Sequence, residues 1–137
     1  MAPENLHMTL AFLGHTSPDQ QQAMEDWAEQ LPLVQLSLTL DRLGHWPKPR
    51  VLWLGPAHWP AALDALAASL AEGMRRCGLT PDPRPYAPHV TLLRKAHAPV
   101  RRAFVPIGWE TAGFVLCESV SLPEGVQYRV IRQWGNP

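Results

Sequence analysis

LHMTLAFLG, residues 6–14, alternates in character from its first position. Leu6, Met8, Leu10 and Phe12 fall on one face of an extended chain, and His7, Thr9, Ala11 and Leu13 on the other, because successive side chains of a strand point to opposite sides. The spacing predicts a strand over residues 6–13 and places Phe12 in the core with Met8 and Leu10. It also sets an imidazole and a hydroxyl on the same side, two residues apart. The pattern returns: HMTL at residues 7–10 is matched by HVTL at residues 89–92. With six histidines in the chain, roughly 0.3 His-x-Thr triplets are expected by chance, and about 0.04 once a following leucine is required. One such pair reads as satisfied polar groups on a sheet face; two copies read as halves of one site.

The residue types suit a particular chemistry. Histidine ionises near neutrality and serves as acid or base, and a threonine hydroxyl donates a hydrogen bond to an anionic oxygen. Two such pairs brought together on facing lobes make a four-point clamp. One neutral imidazole takes a proton from water while a protonated imidazole gives one to the leaving oxygen of a phosphoryl displacement. No carboxylate recurs beside either histidine to build a nucleophile triad, and the acid and base steps need neither metal nor cofactor.

Composition bounds the rest. One chain of 137 residues, 46% hydrophobic and 18% charged, is expected to fold as a single domain over 1–137. No apolar run suits a bilayer and no secretory signal opens the chain, so a soluble, cytoplasmic protein without a membrane partner is expected. Twelve basic residues balance twelve acidic ones, which argues against bulk electrostatic coating of long nucleic acid. The densest basic run, RKAHAPVRR at residues 94–102, reads as a solvated loop. Cys77 and Cys117 lack metal-ligand spacing and read as reduced thiols.

Along the chain, Ser17-Pro18-Asp19-Gln20 is a capping box opening a helix through about Leu31. Strands are expected near Val34–Leu43 and over RVLWLG at 50–55, and a helix from about Pro60 to Cys77 with Leu63, Leu66, Ala67, Leu70 and Met74 as its apolar stripe. HVTLLR at 89–94 follows a proline-rich stretch, and FVLCESVSL at 114–122 and VQYRVIRQW at 126–134 form a hairpin. This order predicts an α+β fold, bilobal, with two antiparallel sheets facing a cleft and helices outside.

These residues resemble the two-histidine phosphoesterases, in the branch of RNA 2′,3′-cyclic phosphodiesterases also called 2′-5′ RNA ligases. The likeness runs through PENLHMTLAFLG, RVLWLG, YAPHVTLLRK and YRVIRQW. It implies hydrolysis of an RNA-terminal 2′,3′-cyclic phosphate to a 2′-phosphomonoester, with 2′-5′ ligation as a companion activity and RNA ends or small cyclic nucleotides as ligands. His7 matches the proton donor, His89 the proton acceptor, and Thr9 and Thr91 the phosphate-binding threonines. Arg94 falls at a basic position after the second motif and reads as a phosphate contact or a surface charge. Tyr86 and Tyr128 read as stacking platforms for an unpaired base or as packing residues. His15, His45, His58 and His97 lack the threonine partner. Family members carry a strand and helix ahead of the first motif, whereas six residues precede His7 here; an uncovered sheet edge would then favour self-association. The alternative to an enzyme is a noncatalytic module that binds nucleotides or RNA ends with the same clamp.

Overall fold

The computed structural model describes residues 2–137. After a 3-10 turn at Pro3–Asn5 come helix α1 (Pro18–Glu29), strands β1 (Leu36–Leu40), β2 (Arg42–Trp46) and β3 (Val51–Gly55), helix α2 (Ala61–Arg76), and strands β4 (Val90–Arg94), β5 (Ile107–Leu122) and β6 (Gly125–Asn136). The strands form two antiparallel three-stranded sheets, ordered β2-β3-β4 and β1-β5-β6. With the two helices this is the expected α+β class. Contacts divide the chain into one unit of residues 1–9, 37–60 and 87–110 and another of residues 10–36, 61–86 and 111–137.

The first unit holds the β2-β3-β4 sheet. β2 pairs with β3 from Arg42↔Gly55 to Trp46↔Val51, and β3 pairs with β4 from Val51↔Arg94 to Leu54↔Val90. The expected strand over 6–13 shrinks to a single antiparallel bridge between Met8 and Val90. Beyond Thr9 the chain contributes instead to the second unit, where Ala11 and Leu13 pack against Met24, Met74 and Leu79. Phe12 is 79% exposed rather than core, since the alternation that would have turned it inward ends with the bridge. The single strand expected over 34–43 is split at Asp41. That residue's backbone N–H donates to Gly55 O and its side chain accepts from Ala57 N at 2.8 Å, so it turns the chain between β1 and β2.

In the second unit, Gln20 N donates to Ser17 Oγ and Ser17 N to Gln20 Oε1, completing the capping box that starts α1. The stripe of α2 is buried as its spacing requires: Leu63, Ala67, Leu70 and Met74, with Gly73 among them. Gly73 lets the helices approach, because a Cβ there would lie 2.4 Å from the Trp27 ring, whose indole N–H donates to Ser69 O at 2.8 Å. The β5–β6 hairpin turns at Gly125, and β5 begins at Ile107, earlier than the apolar run alone suggests. Glu29 on α1 accepts from the Trp134 indole N–H at 2.8 Å and from Arg132 Nη2 at 2.7 Å on β6.

Candidate active site

The Met8–Val90 bridge orders everything around it. Val90 is buried and pairs on its other side with Leu54 of β3. In an antiparallel pair, residues directly opposite share a face and their neighbours turn to the other. Met8 and Val90 therefore face one way, and His7, Thr9, His89 and Thr91 face the other. The register sets His7 across from Thr91, and Thr9 across from His89. Side chains flanking such a pair are close enough to share one patch. Both pairs lie in the same unit, on directly paired segments.

The two histidines are held alike. His7 Nδ1 lies 2.6 Å from Asn5 O and His89 Nδ1 lies 2.7 Å from Ala87 O. A carbonyl oxygen can only accept, so each Nδ1 carries the hydrogen and donates it, and in the neutral ring Nε2 is the nitrogen without a hydrogen. The same two-residue backward reach in both copies gives both rings the same tautomer. His7 and Thr9 are exposed, and His89 and Thr91 are half-buried.

Arg94 joins the patch through an irregularity in the sheet. Thr91 pairs with Trp53 and Arg94 pairs with Val51, although three residues separate the first pair's partner from the second on β4 and only two on β3. An offset of three would turn Arg94 to the opposite face from Thr91. The extra residue, Leu92, is a bulge that restores the phase and returns the Arg94 guanidinium, which is exposed, to the side of Thr91.

Behind His89 lies an aromatic pair that the sequence reading missed. The Trp46 and Trp53 ring centroids are 5.2 Å apart; Trp46 meets the His89 ring edge-to-face at 4.6 Å and 76°, and Trp53 meets it at 6.5 Å. Arg42 extends its guanidinium over Trp53, 5.5 Å from the ring centroid. Trp53 lies flat over Gly44, directly across from it on β2, where a Cβ would come within 2.2 Å of the indole. The signal was present in HWPKPRVLWLG, with tryptophans on both sides of a proline turn. Read as a hairpin in register, it sets Trp46 diagonal to Trp53, a spacing aromatic side chains span. His45 is structural: its Nε2 donates to Ala96 O at 2.8 Å, and Ala96 N donates to Arg50 O.

Tyr86 and Tyr128 belong to the second unit and are half-buried. Burial, with the Asp64 carboxylate adding to it, pushes the Tyr86 hydroxyl up to about 12. Cys77 and Cys117 are both unbridged thiols.

The net charge of zero conceals an asymmetry. The unit that carries the His/Thr patch holds Arg42, Lys48, Arg50, Arg94, Lys95, Arg101 and Arg102 against Glu4, Asp41 and Glu110, and the other unit carries the matching acidic excess. A surplus of cations in the unit that carries the patch suits an anionic ligand.

Known proteins are similar to most of this chain. The family model described as 2′-5′ RNA ligase superfamily matches residues 2–119. An Escherichia coli K12 protein, RNA 2′,3′-cyclic phosphodiesterase, is 35% identical over 136 residues, spanning 98% of this chain and 77% of that protein. An Archaeoglobus fulgidus protein of the same name is 27% identical over 141 residues, spanning 95% of this chain and 79% of its own. The crystal structure of E. coli LigT in apo form superposes with a TM-score of 0.88 at 34% identity, covering 98% of this chain and 78% of that one. With a paired His-x-Thr patch, a family model spanning most of its length and a shared fold, the chain belongs to the 2′-5′ RNA ligase superfamily.

Proposed function

We propose that this chain hydrolyses an RNA-terminal 2′,3′-cyclic phosphate to a 2′-phosphomonoester, with His7 as the general acid and His89 as the general base. The observation that carries the reading is the Met8–Val90 bridge, which gathers both His-x-Thr pairs on one face with both Nδ1 atoms turned to backbone carbonyls. The names of the relatives support the substrate, and E. coli LigT crystal structures with 3′-AMP and with phosphate support a nucleotide end as ligand.

In the proposed reaction, water attacks phosphorus and gives its proton to His89 Nε2 as the new P–O bond forms. The P–O3′ bond breaks, and O3′ takes the proton held on His7 Nε2. The product carries a 2′-phosphate and a 3′-hydroxyl; His89 leaves protonated and His7 neutral, and exchange with solvent resets both. Thr9 and Thr91 donate to the nonbridging oxygens, and each preorganised donor of this kind supplies on the order of 3 kcal/mol of transition-state stabilisation. Arg94 adds a guanidinium to the same oxygens, a charge-assisted contact stronger than a neutral one. A 5′-hydroxyl entering in place of water would give a 2′-5′ linkage by the same proton transfers.

Replacing each histidine by alanine tests the roles. Each variant is expected to lose about 10²–10⁴-fold in turnover of a nucleoside 2′,3′-cyclic phosphate while still binding a nucleoside 2′-phosphate. Near wild-type turnover in either variant would remove the assignment, and binding without turnover in the wild-type chain would make it a noncatalytic end-binding module.

A further inference from the structure

We propose that Trp46 is a positioning residue for His89, fixing the plane of the imidazole so that Nε2 stays aimed at the reacting oxygen. This rests on the reading of His89 as the general base. The Nδ1 contact with Ala87 O holds one ring atom, but an imidazole's χ2 torsion is broad, and one hydrogen bond leaves the ring able to swing about its acceptor. A second constraint on the ring plane is required if Nε2 is to hold the roughly 10–20° tolerance of a catalytic group.

Trp46 supplies that constraint. It ends β2, and its indole meets the His89 ring at 4.6 Å and 76°, the edge-to-face geometry that aromatic quadrupoles favour. The indole is itself fixed from behind. Trp53 on β3 lies 5.2 Å from Trp46 and is 8% exposed, and it lies flat because residue 44 has no Cβ to collide with it. Gly55 makes the complementary approach at the other end, since a Cβ there would stand 2.8 Å from Pro88 O, the residue before His89. Three consecutive strands thus converge on the orientation of one ring: β2 through Trp46, β3 through Trp53 and Gly55, and β4 through the backbone that leads out of His89. The half-buried position of Trp46 means that it can be replaced without emptying the core.

The test uses the full chain and two readouts. Ring-proton resonances of His89, assigned by their loss in His89→Gln, are expected to be displaced from those of a solvent-exposed histidine by the adjacent indoles. In Trp46→Leu they move back toward exposed values, and in Trp46→Phe most of the displacement persists. On a nucleoside 2′,3′-cyclic phosphate, Trp46→Leu is expected to lower kcat about tenfold, with KM within about twofold, and Trp46→Phe to recover kcat to within about threefold of wild type. Undisplaced His89 resonances in the wild-type chain overturn the proposal, and that spectrum with Trp46→Phe decides the matter even if Trp46→Leu does not fold. Loss of turnover in His89→Gln with full kcat in Trp46→Leu overturns the positioning role alone, whereas full turnover in His89→Gln overturns the reading of His89 as the base.

Discussion

Met8 and Val90, 82 positions apart in sequence, are each other's cross-strand partners in an isolated antiparallel bridge. That one pairing sets His7 opposite Thr91 and Thr9 opposite His89, so that neither His-x-Thr motif is complete without the other. A polar pair on a lone strand would be decoration; two pairs meeting across an antiparallel bridge bring two imidazoles and two hydroxyls to one face.

The proposed proton transfer requires one imidazole neutral and the other protonated when a turnover begins. The value of kcat/KM on a nucleoside 2′,3′-cyclic phosphate is therefore expected to rise and then fall with pH, measured between pH 5 and 8 in a buffer series of constant ionic strength. A rate that climbs through the whole range without falling would show that no protonated acid takes part.

Arg94 reaches the Thr91 side of the sheet through the extra residue at Leu92. Arg94→Ala is expected to raise KM about tenfold, the order of magnitude of a charge-assisted hydrogen bond, and to flatten the salt dependence of KM. Arg94→Lys should recover part of the loss, since an ammonium keeps the charge but not the planar fork. Steady-state kinetics at two salt concentrations checks both; unchanged KM in Arg94→Ala would return Arg94 to a surface charge.

Gly44 stands under the Trp53 indole with no room for a Cβ. Gly44→Ala is expected to destabilise the chain by about 1–3 kcal/mol, the usual cost of overpacking, read from the urea midpoint. A variant with wild-type stability would mean that Trp53 can move aside, and kcat should then fall as it does for loss of the Trp46 contact.

Burial favours the neutral form of Tyr86, raising its ionisation from the ordinary 10.0 to about 12. Because the folded-state value lies above the unfolded one, the associated stability is complete below about pH 10 and is lost as pH rises through about 12. Tyrosinate absorbance is expected to show a late step that Tyr86→Phe removes; a titration with no late step would place the Tyr86 hydroxyl in water.

What the sequence disclosed and what it concealed divide along the range of the interactions. Local signals were legible: the capping box at Ser17 and Gln20, the buried stripe of α2 and the β5–β6 hairpin all depend on neighbours within a few residues. The duplicated His-x-Thr was legible because it is a repeat, and the α+β class followed from the order of elements. The register that joins Met8 to Val90 is a long-range choice that no local period encodes. The same holds for the bulge at Leu92, which returns Arg94 to the Thr91 face, and for the contact of Trp46 with His89. Alternation over residues 6–13 overstated the first strand, since period 2 records which side chains could share a face and not whether a partner strand continues. Phe12, 79% exposed, lies where that pairing has stopped.

In the proposed reaction the two imidazoles open a terminal cyclic phosphate by paired proton transfer, and the structure of the product reads out that step. A short RNA ending in a 2′,3′-cyclic phosphate, incubated with the full chain in the presence of a chelator, is expected to yield the 2′-phosphomonoester alone, identified by phosphorus NMR, with no product from the double variant His7→Ala/His89→Ala. A 3′-phosphate, or no turnover by the wild-type chain at any pH from 5 to 8, would overturn the proposed reaction.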